Sequence, residues 1–242
     1  MHRRKFIEKT MLASSFMLAG FSLSQKTTDV KLLTGLGTPD LCGEGYLLLR
    51  EVYDAYYEMS LEAEKDGIRL WCTSGYRSFE YQRGIWNNKF KVLKKSFPAN
   101  SDSEIINSIM EYSSFPGTSR HHWGTDLDIV DAFGHDNGNP LYHENFEIGG
   151  NYQYLGHWLD QNASRFGFFQ VYTKDEARKG FEYEPWHFSY ASMSKTFYRE
   201  MLQVSFEKVE EIKDCKGFEY FKGKFLKEYF EKYVSGINPI LK

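Results

Sequence analysis

The chain has 242 residues, 41% hydrophobic and 26% charged, enough to bury one main core and too polar overall for an integral membrane protein. Its net charge of -3 is uneven: Arg3, Arg4, Lys5 and Lys9 against Glu8 in residues 1–24 leave the remainder at -6, which argues against nucleic-acid binding. Aromatic residues reach 17%, which suits rings that line a cleft as well as rings that fill a core.

At the N-terminus, His2-Arg3-Arg4-Lys5-Phe6-Ile7 precedes an apolar run from Met11 to Leu23 that is too short to span a bilayer. Small residues around a cut after Ser24 complete the pattern of a signal peptide over residues 1–24. Export to the periplasm or exterior is therefore expected, with no membrane span left after removal. The arginine pair followed by Phe-Ile resembles a twin-arginine signal.

Beyond a polar link, Glu44 to Lys65 carries Leu47, Leu48, Val52, Ala55, Tyr56 and Met59 at helical spacing, ended by Gly67. Ile68, Leu70 and Cys72 alternate with Arg69, Trp71 and Thr73, which predicts a strand running into the turn Ser74-Gly75-Tyr76-Arg77. Helices are expected over Phe79–Lys94 and from the capping box Ser101-x-x-Glu104 to about Tyr112. A strand over 125–130 precedes a long polar loop, 133–151. Asp131 and, within that loop, His135-Asp136-Asn137-Gly138 lack the spacing of a calcium loop and read as a turn. A helix from Tyr154 to Phe166 stopped by Gly167, strands Phe168–Tyr172 and Phe181–Tyr190, and a helical stretch 194–234 broken near Lys216-Gly217 complete the chain. The fold class is α+β, a small antiparallel sheet flanked by helices.

Three cysteines, Cys42, Cys72 and Cys215, fit no zinc-thiolate spacing. Two of them could pair after export, and Cys72 on its strand also serves as plain apolar filling.

The chemistry concentrates in two segments, Ser119-Arg120-His121-His122-Trp123-Gly124-Thr125-Asp126-Leu127-Asp128 and Glu184-Pro185-Trp186-His187. A catalytic zinc takes three ligands from His and carboxylates and keeps a position open for water, which the two segments can supply together. Strand parity puts Asp126 and Asp128 on one face and Leu127 and Ile129 in the core, and such an acidic pair needs a cation or donors beside it. Glu184 and His187 would face opposite ways on a straight strand, but Pro185 favours a bend that turns both to one point. The competing reading is structural, with a paired surface aspartate, a satisfied core histidine and a packing contact between Trp186 and His187.

Ser119-x-His121-x-x-Gly124-x-x-x-Asp128 and Glu184-x-x-His187, preceded by Ser74-Gly75-Tyr76-Arg77-Ser78 and Gln82, resemble the VanY-type D-alanyl-D-alanine carboxypeptidase family of zinc peptidases. That family also includes L,D-carboxypeptidases and VanX-type dipeptidases. The resemblance covers about residues 44–190. It implies one zinc ion per chain on His121, Asp128 and His187, with Glu184 as general base and acid and Arg77 steadying substrate or oxyanion. Gln82, Ser119, Tyr76 and Trp186 would line the substrate site, and His122, which matches no ligand position, would stand beside it. The family has alanine two residues before its aspartate ligand where this chain has Asp126. An extra carboxylate there could orient a ligand, raise the pKa of Glu184 or accept a cationic group of the substrate.

The resemblance thus implies residues 25–202 as a zinc carboxypeptidase domain with a DD-peptidase-like fold, and 203–242 as a helical extension packed on it. Its partners would be peptidoglycan stem peptides, with either D,D or L,D specificity, and no oligomeric state follows. An endopeptidase of the same metal chemistry is one alternative. A non-catalytic zinc or peptidoglycan-binding protein is another, since Hedgehog-type signalling domains share the fold, although Glu184 beside all three ligands argues against it.

Overall fold

A computed structural model of the chain describes residues 28–134 and 138–242. The signal-peptide reading of 1–24 and the turn at His135-Asp136-Asn137 lie outside the described residues. The short helix α1 (Val30–Leu33), capped by Asp29, leads to a hairpin of β1 (Leu41–Cys42) and β2 (Leu48–Leu49). Helix α2 therefore starts at Arg50 and not at Glu44, and runs to Lys65. The apolar residues at 47 and 48 continue the helical period, but Gly43 and Gly45 take positive φ and turn the chain into the hairpin instead.

Strand β3 (Leu70–Ser74) follows, then α3 (Phe79–Ser96), capped by the Ser78 hydroxyl, and α4 (Asp102–Met110), where the Ser101–Glu104 capping box forms. Strand β4 (Asp126–Asp131), helix α5 (Gln153–Asn162), β5 (Phe168–Gln170), β6 (His187–Tyr190) and α6 (Ala191–Met201) come next. The last strand is shorter than the expected Phe181–Tyr190, because Pro185 lacks a ladder donor and residues 184–187 form a turn, with His187 N donating to Glu184 O. The tail is not two long helices either. Short 3-10 turns occupy 206–220, Gly217 adopts a left-handed conformation, and only α7 (Gly223–Tyr229) is a regular helix, passing into a π turn.

The main sheet has the order β3-β4-β6-β5 with every pairing antiparallel. One face is sealed by α2 and α5, where Leu127, Ile129 and Phe188 pack against Val52, Met59, Leu155 and Trp158, all buried. A second core joins α3 and α4 to the tail: Phe115 stacks on Phe221 at 3.7 Å between ring centres, and the Trp86 indole donates to the Lys216 carbonyl. Burying these large rings is a main favourable term for seating the tail. The other face of the sheet, bearing Asp126, Asp128, His187 and Ser189, is left to polar side chains. Among the described residues no helix is long and apolar enough to cross a membrane.

Candidate metal centre and cleft

Three elements converge on the polar face of the sheet. A 3-10 turn over Arg120–Trp123 carries His121 and ends at Gly124, whose φ of 68° lets the chain reverse directly into β4. A Cβ there would also meet Leu41 and Leu49 of the hairpin at 3.0 and 3.3 Å. β4 supplies Asp128, β6 supplies His187, and one ligand atom from each of His121, Asp128 and His187 lies within 4.8 Å of the others. All three side chains are buried.

The hydrogen bonds around the cluster aim it. His121 Nδ1 lies 2.8 Å from the Gly75 carbonyl, so it donates there and leaves Nε2 as a lone pair facing Asp128 Oδ1 at 3.5 Å. Asp128 Oδ2 accepts from Arg77 Nη2 at 2.8 Å, whereas its buried Oδ1 has no hydrogen-bond partner among the described residues. An orphaned carboxylate oxygen between two imidazoles is costly unless a cation joins them, so the donor set fits a divalent metal. Glu184 Oε2 sits 3.0 Å from His187 Nδ1, so the bend at Pro185 does bring both to one point.

Burial alone would raise the Asp128 carboxyl, but the facing His121 imidazole and the Arg77 guanidinium outweigh it and hold it low. Burial holds the Glu184 carboxyl above its usual range, against the opposing pull of His187. His121 is pushed down by burial and by the Arg77 cation. His187 behaves oppositely: burial would lower it, but hydrogen bonds to Asp126 and Glu184 prevail and hold it at about 9.

A cleft of about 470 Å³ opens over the cluster. Arg77, Gln82, Ser119, Glu184 and Trp186 line it, as do Asn139, Leu141, Tyr142 and His143 of the long loop. Gln82 is buried, donates its amide to Ser114 O, and keeps Oε1 without a partner among the described residues. Trp186 both walls the cleft and packs in the sheet core. Tyr76 does not join them: it stands outside the cleft lining with its hydroxyl 3.4 Å from Gly37 O. His122 is wholly buried behind Arg77, Nδ1 2.6 Å from the Arg77 carbonyl and Nε2 accepting from Gly117 N, and burial pushes it down to about 4. It props the arginine turn and does not belong to the cluster. Trp123 packs in the tail core with Arg120 over its ring, and Cys42, Cys72 and Cys215 are all free thiols.

Two cleft residues escape a reading by motif. Arg120 is an unspecified position inside the His121 motif, yet it is buried and ion-paired with Asp126. Lys89 is one lysine among many, but it lies seven residues after Gln82 on the same helix face and lines the cleft. Its Nζ donates to Ser113 Oγ, no carboxylate among the described residues pairs with it, and desolvation holds it below the usual lysine range.

The family model "VanY: D-alanyl-D-alanine carboxypeptidase" matches residues 46–193. The chain belongs to the VanY family. Among VanY-like relatives, the D-alanyl-D-alanine carboxypeptidase of Enterococcus faecalis is 31% identical over 150 residues, 60% of this chain and 46% of the relative. YodJ of Bacillus subtilis is 32% identical over 168 residues, 67% of this chain and 55% of its own length. The chain thus spans about half the length of the curated relatives it matches. In fold, a vancomycin resistance D,D-pentapeptidase VanY solved with Zn(II) superposes with a TM-score of 0.52 at 23% identity, covering 71% of this chain and 89% of that one.

Proposed function

We propose that the protein is an exported zinc carboxypeptidase that removes a terminal D-alanine from peptidoglycan stem peptides. The observation that carries this reading is the buried His121-Asp128-His187 cluster with Glu184 beside it, at the floor of a cleft that also holds Arg77. The neighbour with Zn(II) and the relatives' printed activities support the metal and the substrate class. Another VanY structure was solved with D-alanine-D-alanine. Export rests on residues 1–24, with the arginine pair favouring the twin-arginine route.

His121, Asp128 and His187 would hold the zinc, which when bound would supply Lewis acidity toward the scissile carbonyl and lower the pKa of water. Glu184, kept basic by burial, takes a proton from the attacking water on its carboxylate and hands it to the leaving amine nitrogen. Arg77 gives one donor to Asp128 and presents its guanidinium to the cleft, where a planar fork suits an oxyanion. The unpartnered Gln82 Oε1 suits a peptide N–H, and Lys89 supplies a cation for a peptide carboxylate, the group that a carboxypeptidase must recognise.

The test is mass spectrometry of pentapeptide and tetrapeptide muropeptides incubated with the protein, with and without a zinc chelator. Chelator-sensitive loss of one alanine is expected, from the pentapeptide for D,D activity and from the tetrapeptide for L,D. Internal cleavage would replace this reading with an endopeptidase, and intact substrates with zinc-loaded protein would replace it with a binding role.

A further inference from the structure

Beneath the proposed metal centre lies a second buried ionic group that the mechanism does not use. Asp126 has no solvent exposure and accepts four hydrogen bonds. Its Oδ1 receives Arg120 Nε at 2.8 Å and His187 Nε2 at 3.2 Å, and its Oδ2 receives Thr125 Oγ1 at 2.7 Å and Ser189 Oγ at 2.9 Å. Arg120 also donates Nη2 to Ser189 Oγ at 2.7 Å, closing a ring of Arg120, Asp126 and Ser189 around one edge of the His187 imidazole.

This geometry decides among the three roles open to an extra carboxylate. Asp126 does not line the cleft, and all its contacts come from its own chain, so it has no face to offer a substrate cation. Its charge is matched at 2.8 Å by the buried Arg120 guanidinium, so little net field reaches Glu184. What remains is its grip on the imidazole. Two carboxylates, both acceptors only, flank the ring, Glu184 at 3.0 Å from Nδ1 and Asp126 at 3.2 Å from Nε2, so once a metal takes the Nδ1 lone pair the single remaining N–H is on Nε2, where Asp126 accepts it. Nδ1 is the nitrogen on the Glu184 side, which is the cleft side.

We infer that Asp126 is a positioning residue, holding His187 in the tautomer and ring orientation that present Nδ1 to the metal, and that Arg120, paired with it at 2.8 Å, anchors this carboxylate in place. The inference rests on the metal reading above. Sheet register makes the arrangement rigid: Asp126 is opposite Ser189 in the same β4–β6 ladder that pairs Asp128 with His187, so the support and the ligand move as one piece.

The experiment compares wild type with Asp126→Asn and Asp126→Ala by competitive zinc titration against a chromophoric chelator. Thermal unfolding of each metal-free protein and long-range proton–nitrogen NMR of the histidine rings accompany it. In zinc-loaded wild type the His187 ring is expected to be protonated at Nε2. Asp126→Ala is expected to weaken zinc binding about 10- to 100-fold, the range for lost support of a ligating histidine. Asp126→Asn, which keeps an acceptor, should recover part of that loss, and kcat should fall more than KM rises. Should Asp126→Ala not fold, the Asp126→Asn titration alone decides, with weaker zinc affinity at unchanged metal-free stability as the expected result. Wild-type zinc affinity in both variants, or a ring protonated at Nδ1, overturns the inference and leaves the metal site standing. A wild-type protein that binds no zinc overturns the metal reading itself.

Discussion

Asp128 and His187 are register partners across the β4–β6 ladder, so two of the three members of the metal cluster are set opposite one another by backbone pairing alone. The third, His121, is delivered by the turn that Gly124 closes just before the same strand. The cluster is therefore a property of the sheet, and its members are expected to fail together.

Replacing His121 or His187 with alanine should remove metal and activity in one step, since two remaining ligands do not make a catalytic zinc site. Metal content by atomic emission and turnover of a pentapeptide check this. Full metal retention in either variant would contradict it.

Arg77 holds Asp128 and faces the cleft. Arg77→Ala is expected to lower kcat by about 10²- to 10³-fold, the usual loss for one oxyanion donor, with a smaller change in KM. Steady-state kinetics on a peptide with a free carboxyl terminus separate the two, and a change confined to KM would assign Arg77 to ground-state binding only.

Lys89 should act on binding. A hydrogen bond between charged groups is worth enough that Lys89→Met should raise KM about tenfold or more for a peptide with a free terminal carboxylate, with kcat nearly unchanged. The matching peptide amide should show no such difference between the two proteins. An equal effect on acid and amide would mean that Lys89 only packs against Ser113.

Metal binding should release a proton. His187 lies between the carboxylates of Asp126 and Glu184 and is held at about 9, so at neutral pH the metal-free ring is protonated and a metal ion must displace that proton. The sign follows: apparent zinc affinity rises with pH up to about 9 and then levels off as the proton is lost beforehand. Calorimetric titration in buffers of different ionisation heats counts the protons, and a buffer-independent enthalpy at pH 7 would oppose this.

Much of this architecture can be read directly from residue patterns. Alternation at Ile68, Leu70 and Cys72, the Ser101–Glu104 box and the stop at Gly167 are local effects, and each element forms close to its pattern, with β3 starting at Leu70 rather than Ile68 and a 3-10 turn completing the helix before Gly167. The parity of Asp126 and Asp128 against Leu127 and Ile129 is equally local, and it orients the cluster. What is hidden depends on contacts distant in sequence. Leu47 and Leu48 keep the helical period of α2, and only pairing with Leu41 and Cys42 makes β2 a strand. The tail keeps helical composition but breaks into 3-10 turns to seat Phe206 and Phe221 around Phe115. Arg120 looks like an unspecified motif position until Asp126 and Ser189 meet it across the sheet, and Lys89 looks like surface charge until the cleft is built above it. Tyr76 shows the reverse: the family resemblance implies it at the substrate site, yet it stands outside the cleft lining with its hydroxyl 3.4 Å from Gly37 O.

The most direct test of the account is the Glu184→Gln protein, assayed in parallel for bound zinc and for alanine release from a pentapeptide. Glutamine preserves the shape beside His187 but cannot take a proton, so one zinc per chain should remain while turnover falls by about 10²- to 10⁴-fold, the range for a lost general base. Near-normal turnover in that protein, or equal turnover in wild type stripped of metal, would contradict the claim that Glu184 and a metal on His121, Asp128 and His187 form a catalytic centre.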